Sequence, residues 1–190
     1  MDVNRAIRIG SPYFYWVNLQ EELARAHSRA NADRVLEIIL SEPSLTEEVV
    51  RLTVQSHDPV TVQRAAMVLG DLGRLRPEWL APYLEKLVVA ARHPIHPAVS
   101  RNVLRHLSEL PPQRIPEALH ARLLDWALVM TGAPDQPTAC RVFAMQVAAN
   151  LSVLYPEVAG ELREVLALGL EDATPGYRSR AGRILRSLPE

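Results

Sequence analysis

Cysteine, glycine and long apolar runs are scarce in this 190-residue chain, and each scarcity excludes a class of protein. The single Cys140 excludes an internal disulfide and fits a reducing cytoplasm, where we expect the protein to act. No stretch approaches the roughly 18 to 20 apolar residues of a membrane span, and no basic region followed by an apolar core begins the chain. We therefore expect no membrane association and no signal peptide. Only 8 glycines and few alternating β-branched runs argue against a β-sheet.

An excess of charge of either sign is also missing. The formal net charge is −1 and the isoelectric point is about 6.6, so no bulk attraction to nucleic acid or to an anionic membrane is expected. Of the 21 basic residues only Lys86 is a lysine. Composition thus argues against a nucleic-acid partner.

A helical plan recurs along the chain, and its clearest copy is HDPVTVQRAAMVLGDL at residues 57–72. The plan is an aspartate followed six residues later by an arginine and then a small or apolar run; it occurs as Asp58 with Arg64, Asp135 with Arg141, and Asp172 with Arg178. A fourth copy, before Arg101, has Ile95 in place of the aspartate. The apolar ends of these helices are 38, 41 and 37 residues apart, at Leu72, Leu110, Leu151 and Leu188. Periods near 40 residues are typical of two-helix solenoid units.

Proline and capping residues predict where the helices lie. Most of the 15 prolines fall at predicted helix starts, where the missing N–H costs little. We expect Asp58 to cap a helix whose first residue is Pro59, and Ser44 or Thr46 to cap the helix before it. The predicted helices cover residues 13–27, 31–40, 46–55, 59–72, 97–110, 115–129, 137–154, 157–170 and 174–188, and a further helix lies within residues 78–91, with Pro82 marking its start.

These helices predict an all-α fold, a right-handed α-α superhelix in one domain over residues 1–190. Within it, residues 1–12 form an N-terminal arm, 13–56 divergent helices, and 57–190 the regular repeats. Such arrays have a concave surface lined by successive equivalent helices, and that surface commonly binds a partner.

The Asp, Pro and Arg-Ala-Ala positions resemble HEAT repeats. QRAAMVLGDL, RNVLRHLSEL, RVFAMQVAANL, YPEVAGELR and GYRSRAGRIL are similar, in order, to a group of small bacterial HEAT-like proteins, over roughly residues 20–188. The resemblance implies the HEAT-like solenoid and no particular reaction. Some relatives carry the label adenylosuccinate lyase, which we reject because that enzyme is much longer and has a catalytic loop of the SSxMPxKxNP type that this chain lacks.

Arginines near the starts of the recurring helices are the candidate binding residues. The set is Arg64, Arg101, Arg141, Arg178 and Arg180. If these guanidinium groups are free, they form a ladder suited to carboxylate or phosphate. The alternative, which the matching periodicity favours, is that Asp58, Asp135 and Asp172 pair with the arginines six residues later and join neighbouring repeats.

An aromatic cluster near the N-terminus is a second candidate surface. Tyr13, Phe14, Tyr15 and Trp16 are expected in the first turn of the first helix. They either cover the end of the array or form a docking or homodimer patch, because aromatic residues are enriched at interfaces.

Residues for metal, cofactor or catalytic chemistry do not form a motif. The pair His93 and His96 lies in a proline-rich turn without cysteine or acidic residues at ligand spacing, so we expect no metal site and no cofactor. The chain has no glycine-rich phosphate loop, HExxH or GxSxG.

The sequence therefore predicts a non-enzymatic protein-interaction module whose partner lies on the concave face. The alternative is a HEAT-like DNA-binding protein or an alkylpurine DNA glycosylase, with Trp79, Asp125 and Trp126 beside the arginines. That alternative requires clustered cations for phosphate contacts.

Overall fold

A computed structural model describes residues 17–171 and 173–188, and this part of the chain contains helices and no strand. The α-helices are α1 Leu19–Ala24, α2 Arg29–Ser41, α3 Leu45–Gln55, α4 Pro59–Leu75, α5 Pro77–Leu80, α6 Leu84–Arg92, α7 Pro97–Glu109, α8 His120–Gly132, α9 Thr138–Leu151, α10 Ala159–Leu168 and α11 Pro175–Ser187. Short 3₁₀ turns precede α6, α8 and α10. The all-α class predicted from the sequence is confirmed.

Capping side chains set the starts of several helices. Asp58 caps α4 by accepting hydrogen bonds from the backbone N–H groups of Val60 at 3.2 Å and Thr61 at 3.0 Å, and Pro59 is the first helical residue, as predicted. The Thr61 hydroxyl and this N–H hold the pKa of the Asp58 carboxyl below its ordinary value. Thr174 caps α11 in the same way, accepting from the backbone N–H of Tyr177.

Several predicted boundaries are wrong. The first helix begins at Leu19, capped by Asn18, and ends at Ala24, so it does not cover residues 13–27. Ser44 precedes α3 without capping it, because its hydroxyl donates to the Glu42 carboxylate instead. The partner helices α8 and α10 begin later than predicted, because 3₁₀ turns lie at or just after residues 115 and 157, where they were expected to start. Pro82 lies in the 3₁₀ turn directly before α6, close to the predicted start of that helix.

The contacts between helices divide the chain into two compact units, one extending to Asn102 and the other beginning at Val103. In the first unit α4 packs against α2 and α3, and α3 also packs against α6. In the second unit α9 packs against α8, α10 and α11, while α10 also packs against α8. A hydrogen bond from Asn150 to the Ser108 carbonyl, 3.0 Å long, joins α9 to the C-terminal part of α7.

The core lies where the apolar pattern predicts it. On α4 the predicted inward residues are all fully buried: Val62, Ala65, Ala66, Val68, Leu69 and Leu72. Leu107 of α7 and Leu151 of α9 are likewise fully buried in the second unit. Burying one such leucine or valine side chain contributes about 1.5 to 3 kcal/mol relative to exposure, so this recurring apolar stripe is what holds each helix in its layer.

Candidate interaction surface

Arg64 is used to close the end of another helix. Its Nη1 donates to the carbonyl oxygens of Leu23 at 2.9 Å and Ala24 at 3.0 Å, the last residues of α1. Since those carbonyls have no partner within their own helix, a guanidinium from α4 satisfies them and also meets the negative end of the α1 dipole. The predicted ion pair between Asp58 and Arg64 is not formed, because Asp58 caps α4 and Arg64 reaches α1.

Arg141 is buried inside the second unit. Its Nε donates to the Thr131 carbonyl at 3.1 Å, and its guanidinium carbon lies 4.2 Å from the centre of the Tyr177 ring. This is a cation–π contact between α9 and α11. The predicted pair with Asp135 is absent, since Asp135 instead accepts from Gln136 at 3.0 Å on the exposed turn before α9.

The Tyr177 side chain is fully buried, and its hydroxyl has no hydrogen-bond partner among the described residues. Burial raises the pKa of Tyr177, and the nearby positive charge of Arg141 opposes that rise. The Tyr177 ring therefore packs as an apolar group inside the fold, and its face contacts the Arg141 guanidinium.

Arg101 and Arg178 are exposed. Arg101 makes no hydrogen bond or ion pair with any residue in the described ranges, while Arg178 donates to the Ala173 carbonyl at 3.3 Å. The predicted pairing of Arg178 with Asp172 lies outside the described residues, because Asp172 is not among them.

Arg180 begins a chain of hydrogen bonds across three helices. Its Nη1 donates to Gln146 Oε1 at 2.7 Å, Gln146 Nε2 donates to Asn150 Oδ1 at 2.7 Å, and Asn150 reaches the Ser108 carbonyl. All of its acceptors are neutral. This series of hydrogen bonds therefore orients the half-buried guanidinium of Arg180 without cancelling its charge.

The five arginines do not occupy equivalent helical positions. Arg141 and Arg178 are the fourth residues of α9 and α11, Arg101 is the fifth residue of α7, and Arg64 and Arg180 are the sixth residues of α4 and α11. Two residues rotate an α-helix by about 200°, so the fourth and sixth positions face nearly opposite ways. The sequence spacing from the aspartates misses this because the loops before the helices differ in length.

Two further arginines on α11 were missed by the sequence reasoning. Arg183 and Arg186 are exposed, and no described carboxylate pairs with either. With Arg180 they recur at three-residue intervals, and we call these three residues the α11 arginine face. The signal was available: residues 175–187 contain four arginines and no acidic residue.

A cleft of about 530 Å³ opens beside α8 in the second unit. The residues that line it are Gln113, Arg114, Ile115, Pro116, Glu117, His120, Leu154 and Tyr155. Both ring nitrogens of His120 are engaged: Nε2 donates to the Ile115 carbonyl at 2.9 Å, so Nδ1 accepts from the Tyr155 hydroxyl at 2.8 Å. His120 is therefore a structural histidine that holds the wall of the cleft.

The histidines and tryptophans considered for metal or base chemistry have structural surroundings. His96 Nδ1 accepts from the Ala98 N–H at 3.1 Å at the start of α7. No group of three or more potential metal ligands occurs among the residues described. Trp126 is only 6% exposed, and so it belongs to the core of α8 and not to a base-binding surface. Trp79 lies beneath the Arg76 guanidinium at 5.7 Å.

The aromatic cluster at residues 13–16 lies outside the described residues, and its role as a patch stays a prediction. Within the described ranges, every helix falls short of the combined length and apolarity that a bilayer crossing requires.

Comparison with protein families agrees with the helical repeat. The HEAT repeat domain family matches residues 19–188, which is most of the chain. The protein therefore belongs to the HEAT repeat family, whose members are generally non-enzymatic and commonly mediate protein interactions. No curated protein and no solved structure matches the chain.

Proposed function

We propose that the protein is a non-enzymatic interaction module that binds a segment of a partner protein on the face presented by its recurring helices, in the cytoplasm. Its concave surface, as the repeat pattern predicts it, would supply this face. Arg180 is the proposed contact residue, whereas Arg178, two residues earlier on α11, faces nearly the opposite way and Arg101 belongs to the other compact unit. Arg64 and Arg141 instead stabilise the fold through their carbonyl and ring contacts.

The hydrogen-bonded chain from Arg180 through Gln146 and Asn150 carries the proposal. An exposed arginine loses side-chain freedom when it binds, and that loss weakens the complex. Here Gln146 has already oriented the guanidinium while leaving its charge uncompensated. Such a group is ready to bind a carboxylate through paired N–H donors.

Arg180→Glu tests the proposal. We expect it to abolish capture of the partner from host lysate, and to weaken binding of the purified partner in titration calorimetry, without a change in helical content by circular dichroism. The matched control is Lys86→Glu, which reverses one exposed charge on α6 of the first unit and should leave binding unchanged. Equal affinity of the wild type and Arg180→Glu would contradict the proposed contact.

A further inference from the structure

Helix α11 is the most one-sidedly charged helix in the described part of the chain. Between Pro175 and Ser187 it carries Arg178, Arg180, Arg183 and Arg186 and no carboxylate. The hydrogen bonds of these arginines to described residues go to neutral groups only, the Gln146 amide and the Ala173 carbonyl. No carboxylate of the described residues forms an ion pair with them; Asp172 and Glu190, which flank the helix in sequence, lie outside those residues.

Helical geometry places three of these arginines on one side of α11. Side chains three residues apart are neighbours on a helix, so Arg180, Arg183 and Arg186 follow one side of α11. The opposite side is buried through Tyr177, Ala181 and Ile184. The α11 arginine face is about 9 Å long at 1.5 Å per residue, which about three residues of an extended chain would span.

Stability does not explain this arrangement. Like charges three or four residues apart repel one another on a helix surface, and here no described carboxylate relieves the repulsion. Other arginines of the chain do form ion pairs with carboxylates: Arg51 lies 2.6 Å from Glu48, and Arg25 lies 2.7 Å from Glu22. An uncompensated cluster is therefore better explained by an external anion.

We infer that the α11 arginine face binds a short acidic segment of a partner protein, a run of aspartate or glutamate residues. This rests on the proposed function and names the chemical class of its partner. Arginine matches carboxylate through its fork of N–H donors. Duplex DNA carries one charge per about 1.7 Å over a long surface, whereas this face is short.

Fluorescence anisotropy with a labelled hexaglutamate peptide tests the inference, using the full chain. We expect Arg183→Gln with Arg186→Gln to weaken peptide binding by about two- to thirtyfold, from the loss of two exposed charge pairs. Wild-type affinity should fall between about 0.01 M and 0.1 M salt, as the Debye length shortens from about 30 Å to about 10 Å. A hexalysine peptide should not bind.

The control is Lys86→Gln with Arg114→Gln, which changes the net charge equally at two exposed positions outside α11. Equal weakening in both double variants would overturn the inference, because it would show a bulk charge effect. If hexaglutamate fails to bind while Arg180→Glu still abolishes capture of the natural partner, the inference fails and the proposed function stands. Tighter binding of an oligothymidylate of equal charge would overturn both.

Discussion

Gly169 ends α10 directly against the buried Tyr177, and replacing it with alanine tests how tightly α10 and α11 are packed. The backbone at Gly169 has φ −70° and ψ −8°, which any residue adopts, so glycine is required here for space alone. An added Cβ would lie 2.6 Å from Tyr177 Cζ and would overlap the hydroxyl oxygen beyond it. The ring has little room to move, because it is fully buried and the Arg141 guanidinium lies 4.2 Å from its centre.

The expected change in the free energy of unfolding of Gly169→Ala combines two opposing effects. Overpacking a well-packed site costs about 1 to 3 kcal/mol. Replacing glycine by alanine at a compatible backbone conformation returns about 0.4 to 1 kcal/mol by restricting the unfolded chain. We therefore expect Gly169→Ala to lower the free energy of unfolding by about 1 to 2 kcal/mol, measured by urea denaturation.

Gly160→Ala, near the start of α10, is the control. Its added Cβ would have no neighbour within 4 Å, so only the backbone effect applies and the variant should be more stable by about 0.5 to 1 kcal/mol. In a Tyr177→Phe background the hydroxyl is gone, and the cost of Gly169→Ala should shrink by about 0.5 kcal/mol or more. If Gly169→Ala is stabilised as much as Gly160→Ala, the described contact between α10 and α11 is wrong.

Two further predictions concern buried groups of the second unit. Leu107→Ala removes a fully buried side chain and should cost about 2 to 5 kcal/mol in denaturant unfolding; a loss near zero would contradict the repeat register. Because the pKa of Tyr177 is raised in the folded state above its ordinary value of 10.0, the folded protein retains this proton longer than the unfolded chain. Its stabilising contribution is therefore complete below about pH 10 and is lost as the pH rises toward the folded pKa. Tyr177→Phe should show a smaller alkaline loss of thermal stability than the wild type, and an identical loss would refute this assignment.

The elements predicted well are those whose causes are local. Asp58 and Pro59 start α4 because a cap bonds backbone groups two and three residues ahead, which the sequence displays directly. The apolar stripe of α4 is buried as predicted because the helical period fixes which side chains share a face. The first helix was placed too long, since its end depends on Asn31 of α2 and Arg64 of α4, which donate to the carbonyls of its last turn.

The candidate surface was only partly predictable. Arg180 was among the candidates, but the spacing from the aspartates does not single out Arg183 and Arg186, which stand out only because α11 has no carboxylate. The favoured pairing of arginine with the aspartate six residues before it fails at Asp58 and Asp135. In both places the aspartate has a closer partner in its own turn.

The sequence by itself determined the helical repeat, the Asp58 cap of α4 and the buried stripe, because all three follow from interactions within a few turns of one helix. Only the tertiary structure decided which groups each arginine binds. Arg64 meets carbonyls about 40 residues earlier in the chain, Arg141 lies over Tyr177, and Arg180 is held by Gln146, 34 residues before it. A guanidinium on a long flexible side chain binds whichever acceptors the packing of other helices brings within its reach. The sequence spacing around the arginine does not predict that packing.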